Sequence, residues 1–425
     1  MFARSSRQRG FTRIQLLVGL CLLQFVGLII ILSMWCEEHA AARRPIVPPA
    51  AVTPTDPYFA GNPGPWGELE YMRIQVEPND ETVEAESQRA ISVPTRWFFG
   101  EMTLEQVWML LTNVGLSADH LAELRQSPSL ADAEGVIIEP PDSVIFGMSE
   151  TVRAKLYGEL GKNELNELYA WPFTWRQGGF DEWIANSGLS AATLNLVKQV
   201  LFRRGTAYCV SDLNALCTNT SDPDERRRLI KMLSRSAALL MKVRIRPDTD
   251  VAALTKYWGR GMHVKDIERL VQSLTKVPGG VTLDVVHLLP PFARKRINCF
   301  PTPGTRNDDL QPDCFWSSWN FFNDPPDDRY YNFELWHAEL RERCRQVERP
   351  LFGDLVFLCH QDGSPIHAAV YIADDVVFTK NGANPRQPWK LMKLDDMLAR
   401  YASDEELRIV FFRTPENFAS SDLAR

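Results

Sequence analysis

Residues 367–382 read HAAVYIADDVVFTKNG. An apolar run, two aspartates and the returning VVFTK are the pattern of two strands joined by a tight turn. Asp374 and Asp375 make that turn, and His367 opens the first strand. Side chains on a strand alternate between its faces, so Thr379 and Asn381 fall on one side of the return segment. Upstream, FGDLVFLC at 352–359 is a turn followed by an apolar strand that ends at Cys359, and HQDG after it is an exposed turn beginning at His360. Downstream, MKLDDMLARYA at 392–402 reads as a helix and LRIVFFR at 407–413 as a strand. Together they describe a small sheet with a side helix.

Ahead of this sheet lies DCFWSSWNFFN, Asp313 to Asn323, after a turn-rich approach. Asp313 is a helix cap, and Phe315, Trp316, Trp319 and Phe322 are residues for packing. Cys314 then falls in the first turn, facing unpaired backbone N–H groups and the positive end of the helix dipole. Those effects lower a thiol from about 8.5 toward neutral pH and suit a nucleophile. The competing reading is a packed cysteine among aromatics. His367 is the candidate base for Cys314. Asn381, ahead of Thr379, is the candidate to orient the imidazole, since an amide oxygen accepts the ring N–H without carrying charge.

A capped DC at a helix start, then GDLVF, then a histidine opening an HxxxY strand resembles the NlpC/p60-type papain-like cysteine peptidases of bacterial cell walls. The resemblance covers 301–425. It implies a papain-like α+β core with Cys314 as nucleophile, His367 as base and Thr379 or Asn381 as the third residue. It also implies cleavage of amide bonds in peptidoglycan stem peptides, without metal or organic cofactor. The sequence departs from the family at Phe315 and Trp316, where serine and glycine are usual. It departs again in having no histidine after His367, where the family's third residue is often one. A lipid-directed amidase or acyltransferase would use the same nucleophile. A catalytically inactive scaffold that binds wall peptides would need only the fold.

Residues 70–300 read as a mainly helical domain. TLEQVWMLLTNVG at 103–115 carries Thr103 and Gln106 in capping-box positions, with an apolar stripe through Leu104, Val107, Trp108 and Leu111. SGLSAATLNLVKQVLFRR and ERRRLIKMLSRSAALLMKV supply further amphipathic segments, KVRIRP a strand, and DVAALTKYWGRG and VKDIERLVQSLTKV shorter helices. His263 and His287 read as satisfied polar residues near packed aliphatics. The eight cysteines show no CxxC pair and the seven histidines no HExxH, which excludes a zinc-ribbon or zincin pattern.

At the amino terminus, Ile14 to Trp35 form a run of 22 almost wholly apolar residues, the length of a spanning helix. Arg4, Arg7, Arg9 and Arg13 precede it and Glu37 and Glu38 follow. That bias puts residues 1–13 in the cytoplasm and the remainder outside, in the manner of a single-pass bacterial inner-membrane protein. A cleaved signal peptide ending near residue 42 is the alternative. Residues 36–69 are proline-rich and read as a linker. A net charge of -7 argues against a nucleic-acid partner. The expected fold class is thus α+β: an N-terminal transmembrane helix, a mainly helical middle region and a C-terminal papain-like NlpC-type domain.

Overall fold

The computed structural model describes residues 58–415 except 133–134, 164, 176–178, 206, 262–263, 302–310, 385 and 402–405. Among the described residues no helix is long and apolar enough to cross a membrane. The expected span at 14–35 lies outside the described residues, as do 1–13, most of the linker, and His263.

The carboxy-terminal hairpin forms as expected. Strand Pro365–Ala373 pairs antiparallel with Val376–Lys380, and both turn residues take positive φ, 47° at Asp374 and 57° at Asp375. This is the backbone that two-residue hairpin loops demand and that aspartate tolerates. Leu355–Cys359 adds to the other side, and the full antiparallel sheet runs in the order 345–347, 408–413, 355–359, 365–373, 376–380, 389–393. Gly353, at φ 86°, makes the turn into Leu355–Cys359 and donates its N–H to the Tyr371 carbonyl at 2.9 Å.

One face of this sheet buries Ala368, Val370, Ile372 and Phe378 in the same core as Trp316 and Trp319 of helix Cys314–Trp319. The opposite face buries Ala369, Tyr371, Val377 and Met392 beneath Leu394 and Met397 of helix Leu394–Arg400. The sheet is therefore covered on both sides, which explains why its strands read as nearly continuous apolar runs.

The middle region is mixed α/β rather than mainly helical, because short antiparallel sheets lie among its helices. Trp97–Phe98, Gly135–Ile138 and Ser129–Asp132 form one, and Phe173–Trp175, Ala207–Val210 and Phe202–Arg204 another. A third joins Tyr58–Ala60, Glu68–Val76, Ser236–Ile245 and Val281–Asp284. The amphipathic segment expected across 225–243 breaks in two: a helix to Ser234, then strand from Ser236. Alternate burial along SAALLMKVRI, paired over nine residues with Glu68–Val76, favours the sheet over helical continuation.

The expected boundary at residue 300 does not divide the packing. Leu69, Tyr71, Met241, Val243, Trp258 and Phe292 share one core with Trp316, Phe352 and Phe378. Residues 80–234 hold two cores of their own, one including Val83, Trp183 and Leu229 and the other Trp97, Val107 and Tyr157. They form a module inserted between two paired strands, since Val76 lies opposite Ser236. Glu77 and Arg235 are ion-paired where the chain leaves and returns. Elsewhere Arg386 of the body reaches Glu167 at 3.0 Å and Glu86 at 3.3 Å in the module.

The stretch read as linker is part of the body from Tyr58 onward. Asp374 holds it: Tyr71 donates to its carboxylate at 2.6 Å, Asn62 at 2.7 Å and Lys393 at 2.9 Å. Burial alone would raise this carboxyl, but hydrogen bonds from Tyr71, Lys393 and Asn62 outweigh it and hold it below the usual range. Asp374→Ala is expected to cost about 2–3 kcal/mol, since it strands a buried phenol and a lysine and places alanine at positive φ. Urea unfolding at pH 7 checks this. Because the folded carboxyl is depressed, its contribution is present above the unfolded value near 4 and fades as pH falls through the folded one.

Candidate functional site

Helix Cys314–Trp319 begins where expected. Asp313 caps it by accepting the Trp316 N–H at 2.7 Å. Aromatic stacking fixes its sides: Phe315 on Trp336 at 4.7 Å between ring centres, Trp316 on Tyr331 at 5.2 Å and Trp319 on Tyr330 at 5.3 Å. The indole N–H of Trp389 donates to Ser317 Oγ at 2.8 Å and ties the helix to the sheet edge. Phe315 and Trp316, where the resembling family carries small residues, are thus packing residues.

Cys314 is unpaired with any other cysteine and only 4 % exposed. Its thiol is not activated in this arrangement. Burial, reinforced by the Asp313 carboxylate, pushes it up to about 12, while the Ala368 N–H and the Lys380 charge pull weakly the other way. The expectation of a lowered thiol fails because a six-residue helix offers a modest dipole and the site excludes water. An unperturbed thiol titrates near 8.5, so at pH 8 the buried one carries about 10³-fold less thiolate. Iodoacetamide is expected to label exposed Cys299 at least 100-fold faster than Cys314 in the folded protein, read by peptide mass spectrometry. Equal labelling would refute the buried thiol.

His367 is wholly buried. Thr379, across the hairpin, takes its Nε2: Oγ1 lies 2.8 Å away. Asn381, the residue preferred from sequence, does not orient the ring; it is buried with both amide atoms unpaired. The regular ladder ends at Lys380 and Gly382 follows at φ 71°, so strand alternation no longer applies at 381. The other ring nitrogen, Nδ1, is held by the Tyr401 hydroxyl at 2.9 Å, with the two rings stacked at 4.5 Å. Among the described residues no hydrogen bond joins Cys314 to His367.

Burial, and then the charge of Arg400, lowers the imidazole to about 3. Burial also raises Tyr401, and Cys314 is near enough to add to that rise. At neutral pH the three groups are therefore a thiol, a phenol and a neutral ring. If Nε2–H donates to Thr379, the Nδ1 lone pair accepts the phenol proton; the opposite tautomer reverses both bonds.

Two site residues escaped the sequence reading. Tyr401 closes the helix that covers the histidine face, and only the folded register brings it to Nδ1. Lys380 lies on the other parity from Thr379, toward the cysteine helix. Its buried ammonium donates to the carbonyls of Gly382 at 2.7 Å and Asn384 at 3.0 Å. Burial lowers it to about 7, with Cys314 and Asp313 opposing. A lysine ending an apolar strand was the available signal.

Cys359 is buried at its strand end as expected, His360 makes its turn by donating its N–H to the Ser364 carbonyl at 2.9 Å, and His287 is exposed. Among the described residues no cluster of histidine, cysteine or carboxylates is arranged to hold a metal. Neither a protein-family model, nor a curated protein, nor a solved structure matches this chain.

Proposed function

We propose that the chain is a cysteine hydrolase of amide bonds, with Cys314 as nucleophile, His367 as base and Thr379 as the residue that fixes the ring, and with peptidoglycan stem peptides as the substrate class. What supports the reading is the environment of His367. A buried imidazole held at Nε2 by Thr379 presents Nδ1 to a phenol that neighbours a helix-terminal thiol. His367 and Thr379 share the strand face of Ala369 and Val377, opposite the face that packs on the cysteine helix. The ring therefore takes the thiol proton only once Tyr401 withdraws and the sulfur reaches Nδ1 from that other face.

The chemistry then balances without an added group. The thiol proton passes to Nδ1 as sulfur bonds to the amide carbonyl carbon, and the Ala368 N–H beside the sulfur is a donor for the developing oxyanion. The carbon–nitrogen bond breaks, and the imidazolium proton leaves on the amine. Water, deprotonated by the ring, releases the acid from the thioester and restores the thiol.

The burial of Cys314 favours a second reading, a domain that binds wall peptides without cutting them. Incubating the reduced protein with stem peptides beside a Cys314→Ala control, followed by mass spectrometry, separates the two. Hydrolysis predicts a new amine terminus from the unmodified protein and none from the variant. Binding of the peptides with no cleavage by either protein overturns the hydrolase.

A further inference from the structure

Between the inserted module and the body lies a cavity of about 320 Å³, the size of a small-molecule site. The module contributes Trp175 and Trp183, whose ring centres are 5.2 Å apart. The body contributes Arg73, Lys390 and Arg400, and Arg235 stands at the junction. Glu182 and Asp396 also line it, so cations exceed carboxylates.

Most of these charges are already engaged. Arg73 faces Asp396 at 3.8 Å, Arg235 is paired with Glu77, and Lys390 donates to Ser236 Oγ at 2.7 Å and the Ala237 carbonyl at 3.0 Å. Arg400 differs: among the described residues it has neither a hydrogen bond nor an ion pair. A guanidinium stays charged in proteins, and that of Arg400 is a half-buried cation in the cavity wall, unpaired among the described residues. The fork geometry of arginine matches a carboxylate, and aromatic walls match a flat apolar body.

We propose that this cavity is a binding site for an aromatic carboxylate, whose charge pairs with Arg400 and whose rings lie against Trp175 and Trp183. The cysteine does not line the cavity, and ligand binding there can be measured without any catalysis at Cys314, although Arg400 also acts electrostatically on His367.

Calorimetric titration of the full-length protein with 2-naphthoate, beside the uncharged isostere 2-naphthamide, tests the assignment. The acid is expected to bind saturably at one site and at least tenfold more tightly than the amide, as a charge-assisted pair requires. Arg400→Gln is expected to remove that preference. Absence of saturable 2-naphthoate binding overturns the proposal, as does equal affinity for acid and amide in the unmodified protein. The latter comparison needs no variant and so does not depend on the folding of Arg400→Gln. A folded Arg400→Gln protein that keeps the preference also overturns it.

Discussion

A His367→Gln variant is expected to lose amide hydrolysis by about 10²–10⁴-fold, the range that a positioned base contributes. Glutamine can still hydrogen-bond in a buried polar setting, but it cannot accept and return a proton at neutral pH. The loss belongs to turnover, because the ring, held by Thr379 and Tyr401, carries the proton in the reaction rather than supplying binding contacts. Retention of full turnover would remove His367 from the mechanism. The same variant should also change the acid stability of the fold. The folded imidazole is lowered to about 3, whereas an unfolded histidine titrates near 6.5. Stability is therefore greatest above pH 6.5 and falls as pH drops toward 3, because the unfolded chain takes up a proton that the folded ring refuses. Urea midpoints across that window should show a shallower decline in His367→Gln than in the unmodified protein.

Asp354→Ala is expected to destabilise the protein by about 3–5 kcal/mol, the cost of stranding a charge whose buried partner is removed. Asp354 is fully buried at the start of the strand that opens the GDLVF segment. It accepts from Arg413 Nη2 at 2.7 Å and Nε at 3.0 Å, and from the Leu351 N–H at 2.8 Å. The pair joins two neighbouring strands, Leu355–Cys359 and Arg408–Arg413, near the carboxy-terminal end of the sheet. Adding Arg413→Met should recover part of the loss, since the stranded guanidinium is then gone. Chemical unfolding of both variants measures it, and equal stability of the double and single variants would shift the cause from charge to packing.

The parts of this molecule legible in its sequence are those governed by near neighbours. The hairpin at 367–380 was readable because alternation and two consecutive aspartates both act locally. Thr103 and Gln106 announced their helix by the reciprocal bonds of a capping box, which the structure contains. Thr379 was reachable by strand parity, but Asn381 lay just beyond the point where parity holds. Strands of two to four residues in the module are too short to express a period of two. The pairing of Glu68–Val76 with Ser236–Ile245 joins segments separated by the whole inserted module, so nothing local reports it. The thiol was misread for another reason: capping geometry follows from Asp313 and its neighbours, whereas the thiol's surroundings come from residues far along the chain, among them Ala368, Lys380 and Tyr401.

The module's two connections lie side by side, at Glu77 and Arg235, and both belong to one strand pair. Mechanically this is a door on a single hinge. Among the described residues, no strand pairing joins residues 80–234 to the rest of the chain, so a rotation about that point would break no ladder. Arg386, with Glu86 and Glu167, is a second tie between the two parts, and only 11 % of its side chain is exposed. The opening such a swing would widen is the chamber walled by Trp175 and Trp183 on the door and by Lys390 and Arg400 on the frame.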